Sequence, residues 1–317
     1  MPAPTADQIR ERNARYHDMA AGGYDSKWGI AFDAGSRAWV LDKLRLALGR
    51  EPGRFGRSLE IGAGTGYFTL NLLAAGTVRE AVATDISQGM LDALEGSAGH
   101  LGLAVETRRA EAAELPFPDG SFDLVLGHAV LHHLPDLSAA FAELRRVLSP
   151  GGTLVFCGEP SRHGDRLAAL PKRAAVTAAP AWRFLMRASE RRDGAGGAGE
   201  SNGAGGDGGS NGGAHLAEHE LEWLVDVHSF APRDLVELAE RAGLEHVRVR
   251  GEELTSSWFG WVSRTLEGSA EPAEVPALWR WYAYGGYLAL RELDRRLLEP
   301  RLPAALFYNL LLSARAP

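Results

Sequence analysis

The order of apolar and polar positions predicts a central region in which strands and helices alternate. Short apolar runs predict strands, and apolar residues that recur every three or four positions predict helices. We expect strands near 58–61, 80–84, 104–109, 122–127 and 153–157, a sixth over Leu244–Val249 and a last one over Leu306–Ala314. We expect helices near 66–74, 87–95 and 138–148. This alternation favours an α/β fold with a doubly wound parallel sheet, whose ligands bind beyond the carboxyl ends of the strands.

Helical periodicity also flanks and interrupts this region. We expect N-terminal helices within 1–50, the α/β core over 51–159, a helical insertion over 160–228, and the rest of the core over 229–317, with a second, aromatic-rich helical insertion at 254–300. Within the first insertion, Gly194–Gly213 contains eleven glycines in twenty residues. Such a composition buries too little apolar surface to offset the entropy of ordering, so we expect a flexible loop there.

Composition narrows the class of protein. The chain has 317 residues, 45% of them apolar, which suffices for a packed globular core. Its formal charge of −7 argues against a general nucleic-acid binder, because such a protein needs a basic surface. The single cysteine, Cys157, excludes an internal disulfide and fits a reducing compartment. Since no signal peptide and no membrane-spanning apolar stretch is predicted, we expect a cytoplasmic protein.

Three alternating glycines, Gly62, Gly64 and Gly66, stand between a predicted strand and a predicted helix. Glycines at this spacing let the backbone turn sharply and approach a ligand, while the N–H groups that open the helix face an anionic group. A dinucleotide fingerprint needs another glycine where Tyr67 stands, so hydride transfer is disfavoured. Nineteen residues after Gly66, the next strand ends in Asp85, which can accept hydrogen bonds from both hydroxyls of a ribose.

Further segments follow in a fixed order: Ala110–Ala112, Leu115–Phe117, Ser121–Val125, Leu131–Asp136 and Leu144–Leu154. With them the chain resembles class I S-adenosylmethionine (SAM) methyltransferases, most closely small-molecule methyltransferases of the ubiquinone and menaquinone biosynthesis type. The resemblance covers roughly 55–158 and resumes at 230–250 and 304–315. It implies a Rossmann-like sheet of seven strands with the last one antiparallel, SAM as the cofactor, an N-terminal helical cover, and helical insertions that form a cap over the substrate side.

The resemblance also implies roles for single residues. For the methionine end of SAM it implies Gly62, Ala63, Gly64 and Gly66, with Glu60 orienting the ammonium group. For the ribose and adenine it implies Asp85, Ile86, Glu111 and Ala112, although the family more often has Asp where Glu111 stands. Gly127 and His128 are expected close to the transferred methyl group.

Some of these residues have a second interpretation. Glu60 is also explained as a strand acid satisfied by a helix N-terminus, and Asp85 as the N-cap of the helix at Ser87. His128 is a candidate general base, and otherwise a cofactor contact or a wall residue. We interpret His132 and His133 as structural, and with no cysteine nearby we predict no metal site.

Aromatic residues are the candidates for binding the methyl acceptor. The candidates are Tyr16 and Tyr24 in the N-terminal region, and Trp258, Trp261, Trp279, Trp281 and Tyr282 in the second insertion. Tryptophan and tyrosine at helical spacing are explained by core packing as well as by a ligand pocket.

The function predicted from these features is SAM-dependent O-, C- or N-methylation of a hydrophobic or aromatic small molecule, in specialised or quinone-like metabolism. The protein is expected to act as a monomer or homodimer. Two alternatives stay open: a SAM-fold enzyme that catalyses another reaction, such as a cyclisation, and a non-catalytic module that binds a partner protein.

Overall fold

The computed structural model describes residues 5–191 and 227–317. Its centre is one sheet of seven strands in the order β3-β2-β1-β4-β5-β7-β6. The strands are β1 (Phe55–Ile61), β2 (Val78–Asp85), β3 (Glu106–Arg109), β4 (Phe122–His128), β5 (Leu148–Pro160), β6 (Glu245–Glu252) and β7 (Asn309–Arg315). The first five pair in parallel and β7 runs antiparallel, which confirms the predicted α/β sheet.

Ten α-helices belong to the described residues. They are α1 (Ala6–Ala20), α2 (Tyr24–Trp28), α3 (Ala34–Leu48), α4 (Tyr67–Ala74), α5 (Gln88–Leu101), α6 (Leu137–Val147), α7 (Arg162–Met186), α8 (Pro232–Arg241), α9 (Thr255–Gly268) and α10 (Ala277–Leu293). The predicted last strand is too long at its start, because Ala304–Leu306 forms a 3₁₀ turn after Pro303. The predicted fifth strand is too short, since β5 begins at Leu148.

The main core lies between the sheet and the helices α3 and α4. Val40 and Leu44 of α3, Phe68 of α4, and Leu124 and Leu126 of β4 are all buried in it. Burying an aliphatic or aromatic side chain of this size contributes about 1.5–3 kcal/mol to folding. Strands covered on both faces read as continuous apolar runs, and this explains why the central strands are recognisable in the sequence.

The chain divides into two compact units. In the described residues, the core unit comprises 5–160, 227–250 and 310–317, and the second unit comprises 161–191 and 251–309. The glycine-rich segment Gly194–Gly213 lies outside the described residues, so the loop expected there stays a prediction. Among the residues that are described, no helix combines the length and the apolar character needed to cross a membrane.

The second unit is built from α7, α9 and α10. A small apolar cluster holds these helices, with Trp182 from α7, Leu266 from α9, and Val275 ahead of α10. Asp294, which is fully buried just after α10, fixes the start of α9. Its carboxylate accepts hydrogen bonds from the main-chain N–H groups of residues 254–256, at 2.9–3.1 Å, and from two hydroxyls of the same segment.

Candidate active site

The loop from β1 to α4 carries the three glycines in left-handed conformations, with φ of +56° at Gly62, +54° at Gly64 and +90° at Gly66. A Cβ at Gly62 would collide with Val130, and one at Gly66 would lie 2.7 Å from Leu94. A Cβ at Gly64 would meet nothing within 4 Å, so this residue faces open space. Left-handed backbone beside open space is the arrangement in which main-chain N–H groups approach a ligand.

Two neighbours complete this loop. Ala63 is buried, and its N–H donates to the carbonyl of Thr84 at 3.0 Å, which ties the loop to β2. The hydroxyl of Thr65 is buried and has no hydrogen-bond partner among the described residues. Buried polar groups are normally paired, so this hydroxyl marks a position where a polar ligand would be satisfied.

Asp85, at the end of β2, connects the glycine loop with α5. One carboxylate oxygen accepts from the N–H of Gly64 at 2.9 Å, and the other accepts from the N–H of Ser87 at 2.9 Å. The N-cap of α5 is Ser87, whose hydroxyl accepts from the N–H of Met90, so the cap interpretation of Asp85 is not needed. A carboxylate has about four acceptor positions, and Asp85 therefore retains acceptor capacity beyond these two bonds.

Glu60 is completely enclosed between β1 and α4. One of its oxygens accepts from the N–H of Thr69 at 2.8 Å and from the hydroxyl of the same residue. Burial raises the pKa of Glu60 to about 8, although these hydrogen bonds lower it. Thr69 lies in the first turn of α4, so the contact is the one expected of a strand acid satisfied by a helix N-terminus. The role of Glu60 toward an ammonium group stays a prediction.

A cavity of about 830 Å³ opens beside the ends of β2 and β3, and its lining includes Ile86, Ala110 and Glu111. The other wall is α1, from which Arg10 donates to the Glu111 carboxylate at 2.7 Å. Asp18 of the same helix accepts from the N–H of Gly89 at 3.0 Å. The structure thus places Ile86 and Glu111, which are both predicted to contact the adenine, in the lining of one cavity. Ala112, the residue after Glu111, is buried.

Arg10 was not among the residues singled out by sequence. It stands on an amphipathic N-terminal helix rich in charged residues, where a solvated arginine and an arginine that lines a cavity look alike. Only the pairing with Glu111 distinguishes it.

The end of β4 carries Gly127 and His128. A Cβ at Gly127 would lie 2.5 Å from Phe156 and 2.7 Å from Val130, so only glycine fits there. The ring of His128 stacks on Phe68 at 4.8 Å and lies edge-on to Trp39 at 6.0 Å. These are the contacts of a wall residue, and a role as general base stays a prediction for His128.

Glu159 and His132 form a buried pair that sequence reasoning missed. The carboxylate of Glu159 accepts from the N–H groups of Val130 and Leu131 at 3.0 Å, and from that of His132 at 3.2 Å. It also lies 2.9 Å from the Nδ1 of His132. A carboxylate there favours the tautomer with the proton on Nδ1, which makes Nε2 the basic nitrogen of the ring. The sequence held one signal for this pair. It is an acid, Glu159, just past the apolar part of β5, together with the histidines that follow the neighbouring strand β4.

Tyr16 and Tyr24 lie near the loop that follows β4, and His17 stands between them and that loop. The Tyr16 ring is buried and lies edge-on to His17 at 5.0 Å, and the Tyr24 ring lies 6.4 Å from His17. His17 is in turn 5.6 Å from the ring of His133. Both tyrosines therefore belong to a cluster near the end of β4, and contact of either with a substrate stays a prediction.

Comparison with known proteins finds methyltransferases that are similar to part of this chain. A family model for a methyltransferase domain matches residues 59–156. A demethylmenaquinone methyltransferase of Roseiflexus castenholzii is 36% identical over 160 residues, which are 50% of this chain and 64% of that protein. A malonyl-[acyl-carrier protein] O-methyltransferase of Methylococcus capsulatus is 37% identical over 140 residues, 43% of this chain and 47% of that protein. We call residues 59–156, which this family model matches, the methyltransferase domain.

Solved structures resemble the chain well beyond this methyltransferase domain. Phosphoethanolamine N-methyltransferase 2 of Haemonchus contortus, in complex with SAM, has a TM-score of 0.56 at 15% identity, over 98% of this chain and 60% of that one. The [4+2]-cyclase SpnF has a TM-score of 0.54 at 19% identity, over 100% and 98%. At such identities the likeness concerns the fold, and it confirms the predicted Rossmann-like architecture. The chain spans less than two thirds of the length of the two curated relatives named above.

The methyltransferase domain contains the glycine loop, Asp85, Glu111 and His132, while Glu159 follows three residues after it. The carboxyl ends of the five parallel strands β1 to β5 therefore carry both the predicted residues and the pair that was missed. Among the described residues, no group of three or more His, Cys, Asp or Glu side chains has the arrangement of a metal site.

The five aromatic candidates of the second unit lie outside the methyltransferase domain and in different environments. Trp279 is packed, with its indole N–H donating to Glu267 at 2.8 Å and its ring 5.0 Å from that of Trp182. Lys172 lies over the Trp261 ring at 4.0 Å. Trp258 is partly buried, whereas Trp281 and Tyr282 are exposed. Their membership of one acceptor pocket stays a prediction.

Proposed function

We propose that this protein transfers a methyl group from SAM to a hydrophobic or aromatic small molecule. The observation that carries the proposal is Asp85, which joins the open, left-handed Gly64 to the start of α5 at the carboxyl end of β2. In a parallel α/β sheet this is the edge at which nucleotide-like ligands bind. The methyltransferase domain at 59–156 supports the same reaction class.

The residues present fit SAM. Open space at Gly64 and the unsatisfied hydroxyl of Thr65 suit the polar methionine end, and Asp85 has acceptor capacity for two ribose hydroxyls. Ile86 and Glu111 line the adjoining cavity, which suits the adenine. When bound, SAM would supply a methyl group on a sulfonium centre, from which the neutral thioether S-adenosylhomocysteine leaves.

Methyl transfer needs positioning and protection from water more than it needs reactive side chains. The buried Tyr16 and its partner His17 would shield the end of β4 from solvent. When an acceptor hydroxyl or amine must lose its proton, His132 is the proposed general base. Glu159 would hold the Nδ1 proton and orient the ring, and Nε2 would take the proton from the acceptor.

The acceptor class is proposed from the relatives and from the residues. By their names, the two relatives act on demethylmenaquinone and on malonyl-[acyl-carrier protein]. The aromatic residues of the second unit favour a hydrophobic or aromatic acceptor. We place the protein in the cytoplasm, which the single, buried Cys157 supports because one cysteine forms no internal disulfide. We also propose that it acts as a monomer or homodimer.

The direct test is to incubate the protein with SAM and a panel of hydroxylated naphthalenes, quinols and malonyl thioesters, and to measure S-adenosylhomocysteine. We expect acceptor-dependent formation of this product. Glu159→Gln should lower kcat for hydroxyl acceptors roughly a hundredfold, because general-base catalysis contributes about that much or more, while SAM affinity is retained. Conversion of an acceptor without S-adenosylhomocysteine would contradict methyl transfer and favour a reaction such as cyclisation.

A matched control for the base is Glu143→Gln, which removes a carboxylate outside the proposed site. Glu143 accepts from Arg146, and this contact lowers the pKa of its carboxyl. Its loss should affect stability slightly and leave kcat unchanged. An equal fall of kcat in both variants would mean that His132 is not positioned by Glu159 for catalysis.

A further inference from the structure

A second cavity of the core unit lies at the other end of the sheet from the proposed SAM site. Its volume is about 290 Å³, and its lining comes from the end of α3, the first half of β5, and the strands β6 and β7. Thr153 in this lining pairs with Leu124 near the start of β4, whereas Glu159 stands near the carboxyl end of β5. Six residues of strand, about 20 Å, separate Thr153 from Glu159. A ligand in this cavity would therefore leave SAM untouched.

This cavity gathers positive charge. Its lining includes Arg50 after α3, His246 and Arg248 of β6, and Arg315 of β7, but no acid. Among the residues that the structure describes, none of these four side chains has an ion-pair or hydrogen-bond partner. Like charges held together without a counter-charge repel one another, which lowers stability. In a chain with a formal charge of −7, an anion that binds between these cations explains why they converge.

Two acids are close to these cations in sequence but do not neutralise them. Glu51 follows Arg50, and its carboxylate lies 3.8 Å from Nε of Arg45. Glu245 precedes His246 and forms no ion pair within the described part of the chain. Both acids are exposed and outside the cavity lining. The lining therefore keeps its positive charge.

The end of α3 holds Arg248 in place. Gly49, the C-cap residue of α3, has φ of +67°. A Cβ there would lie 1.8 Å from Nη1 of Arg248 and 2.3 Å from its Cζ, so the guanidinium packs directly on the glycine main chain. A cation at a helix C-terminus is favourable, which accounts for Arg248 and Arg50 but leaves Arg315 unexplained.

Three further lining residues suit a bound anion. Thr153 is buried, and its hydroxyl has no partner among the described residues. Ser313 is also buried, and its hydroxyl donates to the carbonyl of Ala47 at 2.7 Å, which fixes β7 against α3. His246 has φ of +52°, a left-handed conformation that is unfavourable for a residue with a Cβ. Backbone strain of this kind is concentrated at binding sites.

We propose that this cavity binds a diphosphate group, either free or as part of a small ester. Guanidinium groups match phosphate oxygens in a bidentate geometry. One phosphate monoester carries only about −1.5 to −2 charges at pH 7, so two linked phosphates balance three arginines better. The volume is close to the lower limit of about 300 Å³ for small-molecule pockets, and the acidic chain disfavours nucleic acid. This binding would not depend on the proposed methyl transfer.

Calorimetric titration of the full chain with pyrophosphate tests this site. We expect a Kd of about 1 mM or tighter, and roughly tenfold weaker binding of orthophosphate. Uridine diphosphate distinguishes the sources, since an ester is the ligand if it binds more tightly than pyrophosphate. Excess SAM should leave the pyrophosphate affinity unchanged. Absent binding, equal affinities for orthophosphate and pyrophosphate, or displacement of pyrophosphate by SAM would overturn the proposal.

Variants assign the binding to this cavity. Arg248→Gln should weaken pyrophosphate roughly tenfold or more. Arg50→Gln combined with Arg315→Gln should do the same, and it alters only exposed side chains, so the fold is retained. The control Arg241→Gln removes the same charge from an exposed arginine that pairs with Glu237 at 3.1 Å, and it should bind as the wild type does.

Thermal unfolding gives a second readout. Pyrophosphate should raise the midpoint of the wild type and of Arg241→Gln, because a ligand of the native state stabilises it, but not that of the double variant. Full affinity in the double variant, or an equal loss in Arg241→Gln, would overturn the proposal.

Discussion

The two units of this protein treat their aromatic residues differently. In the core unit Phe68, Phe122, Phe141 and Phe156 are fully buried, whereas α10 of the second unit buries none of its aromatic side chains and leaves Trp281 exposed. A sheet covered on both faces encloses its side chains, while a three-helix unit can bury only one stripe of each helix. Aromatic content therefore indicates packing in the core unit, whereas in the second unit it includes both buried side chains, such as Trp182 and Phe307, and exposed ones, such as Trp281.

Buried acids, in contrast to the aromatic residues, have the same structural role in both units. Asp85 and Glu159 in the core unit and Asp294 in the second unit each accept hydrogen bonds from several main-chain N–H groups. Only the first two stand at the carboxyl ends of parallel strands, where a ligand can reach them. The position of a buried acid in the sheet, more than its chemistry, separates a binding role from a structural one.

The largest effect is expected for Asp294→Ala. It removes the carboxylate that holds the start of α9 and leaves several buried donors unsatisfied, which should cost about 3–4 kcal/mol of stability. The measurement is the denaturant midpoint, with SAM affinity recorded in parallel. Glu292→Gln, which alters a partly exposed acid two residues away that pairs with Arg295 and Arg296, is the control and should destabilise far less, because ion pairs near the surface contribute little. Loss of SAM affinity in folded Asp294→Ala protein would contradict the distinction between a structural acid in the second unit and ligand-binding acids in the core unit.

A smaller effect separates two neighbouring tryptophans. Trp279→Ala should cost about 2–3 kcal/mol, because Trp279 packs on Trp182 and donates to Glu267, although it is not fully buried. Trp281→Ala should change stability by less than about 0.5 kcal/mol. Thermal midpoints of both variants, together with acceptor turnover, separate packing from substrate binding. If Trp281→Ala abolishes turnover at unchanged stability, the predicted acceptor pocket gains support.

The third prediction compares alanine substitutions at two glycines that have similar left-handed conformations. Gly64 and Gly76 both have left-handed φ, of +54° and +66°, and both face open space. Alanine at either position should cost about 1 kcal/mol through backbone strain. Only Gly64→Ala should weaken SAM, by roughly tenfold or more, because its Cβ would occupy the proposed ligand space. Equal affinities for the two variants would contradict this position of the cofactor.

The smallest effect is a pH dependence from Glu60. Because burial raises its pKa to about 8, the native state keeps a proton that the unfolded chain has lost. The stability that Glu60 contributes is therefore present at low pH and declines as pH rises from the ordinary carboxyl range toward 8. An ammonium group beside Glu60 would favour ionisation, so binding should release a proton.

Calorimetric titrations of SAM between about pH 6 and 7.5 check this, since ionisation of the ligand amine adds to the pH dependence nearer pH 8. Affinity of the wild type should rise by up to about tenfold per pH unit relative to Glu60→Gln. Parallel pH profiles for the two proteins would show that Glu60 only accepts hydrogen bonds from the first turn of α4.

Much of the core unit could be predicted from its sequence, because its central strands β1, β2, β4 and β5 contain apolar runs that lead to a glycine or an acid. Gly62, Gly66 and Asp85 were recognisable since the local chain alone dictates their conformation or position. The pair of Glu159 and His132 was not, because it joins β5 to the loop after β4, and sequence separation hides such a contact. The same limit applies to Arg10 with Glu111.

The second unit was less predictable. Helical periodicity predicted helical insertions over 160–228 and 254–300, but the packed Trp279 and the exposed Trp281 stand on the same helix, α10. Trp279 and Trp281 are two residues apart and differ in burial because only one faces α7 and α9. The sequence alone carries no signal for that difference.

The central claim is that SAM lies over the glycine loop with its ribose on Asp85, and calorimetric titration of SAM tests it most directly. Asp85→Ala removes hydrogen bonds worth about 1.5–3 kcal/mol each, so affinity should fall roughly a hundredfold or more. The control Asp92→Ala, which alters an acid of α5 whose partner is the Gln88 side chain, should bind SAM as the wild type does. Unchanged SAM affinity in a correctly folded Asp85→Ala variant would contradict the claim.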